Sequence, residues 1–434
     1  MSIITLQIGQ CGNQLGNTFY SNLNQEILQS SEAHQAIAYD TFFMQSEKEK
    51  QLTPKSILID MEPKVVDKCL NQKLYSTDQY KYDKQFSFVN QEGSGNNWSY
   101  GYNKHGEQSK ENIIELVRKM LEQVDFCQGF IIMQSMAGGT GSGLGSCIVK
   151  QLNDFFDEIP RINFCIMPHQ SGEVILQCYN SVLTMTSLYE NSDGILLFEN
   201  DYIQKICNKQ LKIKSPSLDD MNKVIANQLT SLLFPVISQN KQVHSSLQNK
   251  FQIIEDIQEN LLLNPKYKIM SLSNIPQMPN QSMGFNNDQW SSLDKRLFQM
   301  GITNSTEDQV NWNINPSSQN ALKSFGNLVI VRGEDYNKYE IEKSQFLDKR
   351  IYRNERVICK YFFDSHYFNS YHRTIACLSN SQQCLQSLNS IANRSHTMFQ
   401  ENAYLYQYYQ HGMEKEDFLQ SQGMFEQIIQ NYSF

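Results

Sequence analysis

One stretch of the sequence decides the fold, and it reads Gly129-Phe130-Ile131-Ile132-Met133-Gln134-Ser135-Met136-Ala137-Gly138-Gly139-Thr140-Gly141-Ser142-Gly143-Leu144-Gly145-Ser146-Cys147. The apolar run predicts a buried strand, the Gly/Ser/Thr segment a tight loop, and Leu144, Cys147 and Leu152 at helical spacing a helix. The glycines remove Cβ atoms that would keep an anion from backbone N–H groups, and the helix N-terminus directs its positive dipole end to the same place. The stretch therefore predicts a phosphate-binding loop, although a tight packing corner is also compatible with it.

The glycine loop differs from two familiar phosphate-binding motifs. It is not a Walker A loop, because no Lys-Ser or Lys-Thr pair follows the glycines. The segment Gly141–Gly145 matches the dinucleotide fingerprint only in part, because the third glycine of that fingerprint stands one residue later. The kind of nucleotide must therefore be inferred from the rest of the sequence.

Composition narrows the class of protein. The chain has 434 residues, which favours two or three domains, and a net charge of −8 from 37 basic and 45 acidic residues. Without clustered Lys and Arg, nucleic acid is not expected as a partner.

The N-terminus lacks the pattern of a signal peptide, and no apolar run approaches the roughly 18 residues of a membrane span, so we expect no membrane insertion. The ten cysteines are scattered without a C-x-x-C pair, which indicates free thiols in a reducing cytosol.

The first strand also ends in a candidate ligand-binding turn. Ile4, Leu6 and Ile8 alternate with polar residues, and the chain continues as Gly9-Gln10-Cys11-Gly12-Asn13-Gln14 into a helix. A strand that ends in such a turn suits a phosphate at the helix N-terminus, with Gln10 and Gln14 within reach of a ligand. An ordinary strand–helix corner is equally compatible, and a cysteine here is more typical of packing than of a nucleophile.

A third strand, at residues 56–59, ends in two carboxylates. Asp60 and Glu62 stand two residues apart ahead of Pro63 and suit a magnesium ion that retains some of its waters. Helix capping around the proline is the alternative, and position alone favours it. The Gly/Ser/Asn segment at residues 90–102 forms another loop, directly before a helix predicted at residues 111–124.

Strand and helix patterns alternate through about the first 200 residues. Further strands are predicted at residues 161–168 and 194–198, so the pattern indicates a Rossmann-like parallel sheet covered by helices, with loops meeting at the carboxyl ends of the strands. A long helix follows, capped by Asp219 or Asp220. Later helices are expected at residues 251–263, 385–400 and 402–411, with a short terminal helix from Lys415. Later strands are expected at residues 267–272, 327–332 and 375–378.

These patterns predict an α/β protein with four regions. They are a nucleotide-binding domain at residues 1–205, a loop and core helix at 206–240, an intermediate α/β domain at 241–380, and a C-terminal helical region at 381–434.

Four loops together resemble the tubulin family. They are Gly9–Gln14, Asp60–Pro63, Gly95–Trp98 and Gly138–Gly143, and they stand in the family's order and approximate spacing. The resemblance covers essentially the whole chain. Within the family, the motifs look most like the delta-tubulin subfamily, because Ala137 stands where alpha- and beta-tubulins have a glycine and the chain has no acidic tail.

The resemblance implies a tubulin-like fold and a site for GTP or GDP with Mg²⁺. Gln10, Cys11 and Gln14 of the first loop would line the phosphates and the base. Ser94, Gly95 and Asn96 would hold the phosphates, with Gly138, Gly139, Thr140 and Gly141 opposite, and Ser135 would also bind the nucleotide. Glu173 and Gln177 would lie at the ribose, and Asn200 and Asn222 at the guanine edge. Asp60 and Glu62 match the residues near the γ-phosphate and its magnesium, which reverses the preference for capping.

Two departures from the family bear on affinity. Gln177 stands where alpha- and beta-tubulins carry a glutamate, and Leu218 where they carry an aromatic residue that stacks on guanine. Loss of a stacking face weakens binding by about 1 kcal/mol. We therefore predict weaker GTP binding than in alpha-tubulin, and an equal or lower dissociation constant would contradict this prediction.

Hydrolysis in the family is completed across a subunit contact. An acidic residue on the next subunit positions the attacking water, and the matching residue here is Asp256, with Glu255 and Glu259 as neighbours. A solvated helix carboxylate is the alternative, so GTPase activity stays open.

Three functions are compatible with the sequence. The leading one, implied by the resemblance, is a delta-tubulin-like cytoskeletal GTP-binding protein of the cytoplasm that acts at centrioles and basal bodies in triplet microtubule assembly and cilium organisation. Its partners would be other tubulins, through longitudinal contacts. The second is a GTP-binding regulator that docks on alpha/beta-tubulin without polymerising or hydrolysing GTP. The third is a dinucleotide-dependent oxidoreductase, which lacks a positioned acid/base pair.

Overall fold

The computed structural model describes residues 1–45, 51–71, 80–172, 174–237, 252–277, 289–353 and 356–433. The chain forms two compact units. The first comprises residues 1–20, 39–201 and 384–434, and the second comprises residues 21–38 and 202–383.

Strands and helices alternate along the chain. The strands are β1 (Ser2–Ile8), β2 (Phe43–Gln45), β3 (Leu52–Pro54), β4 (Ser56–Asp60), β5 (Ser87–Val89), β6 (Cys127–Ser135), β7 (Arg161–Met167), β8 (Gly194–Glu199), β9 (Ile269–Ile275), β10 (Ser324–Gly333), β11 (Cys359–Asp364) and β12 (Arg373–Ser381). The helices are α1 (Gly9–Leu28), α2 (Glu32–Phe42), α3 (Pro63–Leu70), α4 (Gly106–Leu121), α5 (Gly145–Phe155), α6 (Gln177–Asn191), α7 (Asn200–Lys209), α8 (Leu218–Leu233), α9 (Ile253–Leu261), α10 (Trp290–Thr303), α11 (Leu385–Gln400), α12 (Tyr406–Tyr409) and α13 (Lys415–Tyr432).

The first unit is built on parallel strands in the order β8-β7-β6-β1-β4-β5. Strands β1 and β7 are buried along their whole length, as expected for a parallel sheet that is covered on both faces. The chain places β4 on one side of β1 and β6 on the other. The strand order therefore reverses at β1, and ligands of such sheets bind beyond the carboxyl ends of the strands at this switch point.

The second unit contains strands in the order β11-β10-β12-β9. β10 pairs in parallel with β11 and antiparallel with β12, which pairs antiparallel with β9. Helix α10 packs Leu293, Leu297 and Phe298 into a core with Val329 and Val331 of β10. This unit is therefore a mixed sheet with its own hydrophobic core.

The predicted α/β class is confirmed, and several element predictions are corrected. The helix expected at residues 402–411 is interrupted by left-handed residues and reduces to α12. The terminal helix is long rather than short, since α13 spans Lys415–Tyr432. Ser217, rather than Asp219 or Asp220, caps α8. Within the described ranges, no helix is both long and apolar enough to cross a membrane.

Candidate nucleotide site

The candidate site begins where the loops after β1 and β6 meet at the switch point. Gly9 has a φ of +72°, a conformation that side-chain-bearing residues rarely adopt. A Cβ atom at Gly9 would lie 2.8 Å from the backbone nitrogen of Gly141. The glycine therefore allows both loops to approach each other closely, and it leaves room for a ligand against their backbones.

The loop at residues 94–97 forms the opposite wall. The Ser94 hydroxyl lies 2.9 Å from the Thr140 hydroxyl. A Cβ atom at Gly139 would lie 2.6 Å from the Cβ of Ser94, so only glycine fits there. Gly95 and Asn96, both exposed, have φ values of +54° and +53°. The loop that carries three of the predicted phosphate-binding residues, Ser94, Gly95 and Asn96, is thus brought together with the glycine loop.

A buried asparagine of α6 braces these two walls. The Nδ2 of Asn180 donates to the carbonyl oxygens of Asn96 (2.8 Å) and Ala137 (2.7 Å). Its Oδ1 accepts from the backbone nitrogen of Trp98 (3.0 Å) and the hydroxyl of Tyr408 (2.7 Å). Sequence reasoning missed this role. The available signal was an amide in a helix that directly follows a candidate ligand loop.

The helices behind both walls begin with π-helical turns. One turn spans Tyr100–His105 ahead of α4, and the other spans Thr140–Leu144 ahead of α5. Such wide turns are rare and occur frequently at functional sites. Here they place Thr140 at the first position of its turn, facing Ser94.

The side chains of the first loop remain available to a ligand. Gln10 is exposed and Gln14 half-buried, and neither amide makes a hydrogen bond to a described residue. Burial raises the pKa of the half-buried Cys11 thiol to about 12, so the thiol stays protonated at neutral pH. This cysteine therefore acts through packing rather than as a nucleophile. At the start of the glycine loop, the Ser135 hydroxyl accepts from the backbone nitrogen of Ala137 (3.2 Å).

Two carboxylates lie at the carboxyl end of β4, beside the second wall. The buried Asp60 accepts from the backbone nitrogen of Met61 at 2.8 Å, and burial raises its pKa to about 6. Glu62 occupies the N-cap position of α3, yet its side chain makes no capping bond there. The carboxylate instead lies against Gly93, where an added Cβ atom would be 2.5 Å from Oε1.

This pair of carboxylates fits magnesium. Mg²⁺ commonly takes one or two protein carboxylates and completes its shell with waters and phosphate oxygens. Among the described residues, no group of three or more His, Cys, Asp or Glu side chains forms a complete protein cage for a metal. The donor set therefore suits an ion that arrives with a nucleotide.

The predicted ribose loop is closed by its own hydrogen bonds. Gln177 donates from Nε2 to the carbonyl oxygen of His169 at 2.8 Å. Asp201 accepts from the His169 ring nitrogen Nδ1 (3.0 Å) and from the backbone nitrogen of Gln170 (2.9 Å). Glu173 lies outside the described residues. The contacts of Gln177 and Glu173 with a ribose remain predictions.

The two asparagines predicted to read guanine lie in different units. Asn200 is the half-buried first residue of α7, in the first unit. Asn222 is buried on α8, in the second unit, and Leu218 begins that helix with 59% of its surface exposed. Their contacts with a base remain predictions.

The predicted catalytic acid forms an ion pair within its own unit. Asp256 lies on α9, and its carboxylate forms an ion pair with the ammonium group of Lys360 on β11. The Asp256 side chain is only 16% exposed. A carboxylate held in this way must leave its lysine or share its charge before it can position a water molecule for another subunit.

Comparisons with known proteins agree with this geometry. Residues 2–208 match the family described as Tubulin/FtsZ family, GTPase domain. Over 458 aligned residues, the chain is 38% identical to the tubulin delta chain of Canis lupus familiaris and 37% identical to that of Homo sapiens. Both alignments cover 100% of this chain and 99% of the relative. The family match includes each loop that surrounds the switch point.

Proposed function

The chain belongs to the tubulin family and is delta-tubulin-like along its whole length, and from this premise we propose that it binds GTP or GDP with Mg²⁺ at the β1/β6 switch point. The observation that carries the proposal is the arrangement of two glycine-containing walls braced by Asn180. Phosphate groups fit this arrangement, because both walls offer backbone N–H groups where Cβ atoms are excluded and the glycine loop adds the Thr140 hydroxyl.

Each part of the ligand has candidate partners in this proposal. The glycine loop and the 94–97 loop hold the phosphates, while Asp60 and Glu62 hold the magnesium ion. Asn200 and Asn222 recognise guanine, since an amide can both donate to and accept from the base edge. The magnesium ion supplies neutralisation of phosphate charge.

In the cell, we propose that the protein acts with other tubulins in assembling triplet microtubules at centrioles and basal bodies, and so in cilium organisation. Full-length similarity to delta chains supports this role, as does Ala137 in the glycine loop. Partners would join head to tail, so that each nucleotide lies at a longitudinal contact.

A second candidate function is favoured by the pairing of Asp256 with Lys360. In this function, the protein docks on alpha/beta-tubulin as a regulator and leaves GTP intact. A neutralised acid at the contact would supply less help to the attacking water than a free carboxylate. Assembled complexes in which GTP persists would favour the regulator, and GDP accumulation would favour the polymer subunit.

The nucleotide site is tested by extracting bound ligand from the purified full chain and identifying it by chromatography. We expect guanine nucleotide, and a bound nicotinamide dinucleotide would overturn the proposal. The variant Gly139→Ala should lose the nucleotide, because its Cβ would lie 2.6 Å from Ser94 Cβ and 2.8 Å from the Asn97 nitrogen. Gly423→Ala is the matched control, since no atom lies within 4 Å of a Cβ added there.

The cellular role is tested separately by deleting the gene and counting tubules in basal-body cross-sections by electron microscopy. We expect triplets to be replaced by doublets. Normal triplets in the deletion strain would contradict the proposed role in assembly while leaving the nucleotide site untouched.

A further inference from the structure

A buried histidine stands directly behind the proposed phosphate wall. His105 ends the π-helical turn before α4 and is fully buried. Its Nδ1 lies 2.9 Å from the Ser94 hydroxyl, and that hydroxyl lies 2.9 Å from the hydroxyl of Thr140. The three side chains therefore form a continuous hydrogen-bonded chain that ends at the glycine loop.

A bound phosphate would determine which group donates and which accepts in each of these hydrogen bonds. Phosphate oxygens accept hydrogen bonds, so the Thr140 hydroxyl must donate its single proton to the ligand. Thr140 can then only accept from Ser94, whose own proton is used in that bond. With its proton in use, the Ser94 oxygen can only accept in its other hydrogen bond. The partner in that bond is Nδ1 of His105, which must therefore donate.

The surroundings of His105 favour the tautomer that carries its proton on Nδ1. Nε2 is buried and has no hydrogen-bond partner among the described residues. With the proton on Nδ1, the unpartnered atom is a lone pair rather than an N–H group, and buried N–H groups without partners are rarer in proteins. Burial also lowers the pKa of the ring, an effect that Glu92 opposes and Lys104 reinforces, so the ring is neutral at pH 7.

We propose that His105 is a positioning residue for nucleotide binding: it donates to Ser94 and thereby orients the Thr140 hydroxyl toward a phosphate oxygen. This inference rests on the proposed binding of GTP at the switch point. It assigns to the histidine a role in affinity that acts through two hydroxyls, without contact between the ring and the ligand.

The test compares GTP dissociation constants of full-length variants, measured with a fluorescent GTP analogue in magnesium buffer. His105→Leu removes the donor, and we expect about three- to tenfold weaker binding, as for the loss of one hydrogen bond. His105→Asn places an amide near the position of Nδ1 and should restore affinity to within about twofold of the wild type. If His105 only filled space, the asparagine variant would not bind GTP more tightly than the leucine variant.

A double-mutant cycle tests whether the histidine acts through Ser94. In a Ser94→Ala background, we expect His105→Leu to cause no further loss of affinity, since the chain is already broken. His411→Leu is the matched control. That ring packs 4.6 Å from Tyr100, much as His105 packs 4.7 Å from the same ring, and its side chain makes no hydrogen bond to a described residue.

The outcomes distinguish failure of the positioning role from failure of the proposed GTP binding. If the wild type binds no GTP, both fail. If the wild type binds GTP but His105→Leu binds equally well, or His105→Asn is as weak as His105→Leu, the positioning role alone is overturned. Additive losses in the Ser94→Ala background would also overturn it. Thermal melting of each variant, followed by circular dichroism, identifies the folded fraction used in the titrations.

Discussion

At the scale of single residues, the site depends on polar side chains that lie behind the ligand-facing loops. Asn180 uses all of its hydrogen-bonding capacity on four groups from three chain segments. Because Trp98 and Tyr408 are buried and Ala137 is half-buried, losing the amide would leave polar groups unpaired at the place where the two walls meet.

We predict that Asn180→Leu lowers the free energy of unfolding by about 2–4 kcal/mol and weakens GTP binding about tenfold, because several buried hydrogen bonds are lost together. Urea denaturation and GTP titration measure the two effects. Asn191→Leu on the same helix is the control, since that amide donates only within its own helix, to the Ser187 carbonyl at 2.8 Å. Equal losses in both variants would contradict the bracing role.

Asp60 should show a conflict between stability and function. Burial raises its pKa from 3.8 to about 6, so the folded state disfavours the ionised carboxylate. In the presence of a chelator and without nucleotide, the protonated Asp60 side chain makes its full contribution to the free energy of unfolding below about pH 4. That contribution is lost as the pH rises through about 6. A shift of about two pKa units corresponds to about 3 kcal/mol at most.

We therefore predict that Asp60→Asn raises the free energy of unfolding by about 1–3 kcal/mol at pH 8 and not at pH 3.5. The same variant should weaken magnesium-dependent nucleotide binding. Denaturation at both pH values measures the first effect, and Asp154→Asn, on an exposed carboxylate, should show neither effect. A destabilised Asp60→Asn at pH 8 would contradict this account.

The sequence could propose candidate ligand-facing residues, but it could not identify the residues behind them. Gly139 and Thr140 belong to a contiguous glycine loop whose local pattern indicates its chemistry. Asn180 and His105 make their decisive contacts with residues that lie from 11 to 228 positions away. No local pattern encodes such partners, so their roles become visible only in the folded chain.

At the scale of secondary-structure elements, local rules explain where helices begin and end. The helix expected at residues 402–411 is interrupted because Asn402 and Tyr404 adopt left-handed φ values of +52° and +60°. Carbonyl oxygens of this segment instead accept side-chain bonds: Asn97 donates to Gln407 at 3.1 Å, and Asn103 donates to His411 at 2.8 Å. Tertiary contacts thus replace part of the helix that was expected in this segment.

Other element predictions succeeded where the pattern was long and regular. The helix predicted at residues 385–400 has these bounds in the structure. Strand β11, by contrast, was not predicted. It lies at the edge of its sheet with most of its residues half-buried, so its sequence shows neither a buried apolar run nor strict alternation.

Helix α8 offers a test of capping. Ser217 and Asp220 bond reciprocally, with the Ser217 hydroxyl accepting from the Asp220 nitrogen at 3.2 Å and Asp220 accepting from the Ser217 nitrogen at 3.0 Å. We predict that Ser217→Ala lowers the free energy of unfolding by about 1 kcal/mol, measured by urea denaturation. Ser215→Ala, two residues earlier and outside the helix, should change it by less than about 0.5 kcal/mol. Equal effects would argue against the cap.

At the scale of the whole molecule, the proposed hydrolysis would depend on what a second subunit supplies. The loops proposed to hold the phosphates lie in the first unit, and the Asp256 carboxylate, paired with Lys360, lies in the second. If Lys360 restrains Asp256, the protein is a poor partner for hydrolysis until that ion pair opens.

We predict that Lys360→Ala raises GTP turnover in mixtures with alpha/beta-tubulin by up to about fivefold, as expected for releasing a partly exposed ion pair. Phosphate release measures the turnover. Adding Asp256→Ala should return it to baseline, while Lys343→Ala, which removes a lysine paired with Glu340, should have no effect. Unchanged turnover in Lys360→Ala would show that the ion pair does not limit hydrolysis.

The central claim is that the β1/β6 switch point binds a guanine nucleotide, and calorimetric titration of nucleotide-free protein tests it most directly. With magnesium present, we predict that GTP binds at least about a hundredfold more tightly than ATP or NADH, because the amides proposed to pair with guanine, half-buried Asn200 and buried Asn222, would be left unpaired by other bases. We also predict that Gly139→Ala abolishes this binding and that Gly423→Ala preserves it. Binding of ATP or NADH as tight as that of GTP, or GTP binding unaffected by Gly139→Ala, would contradict the account.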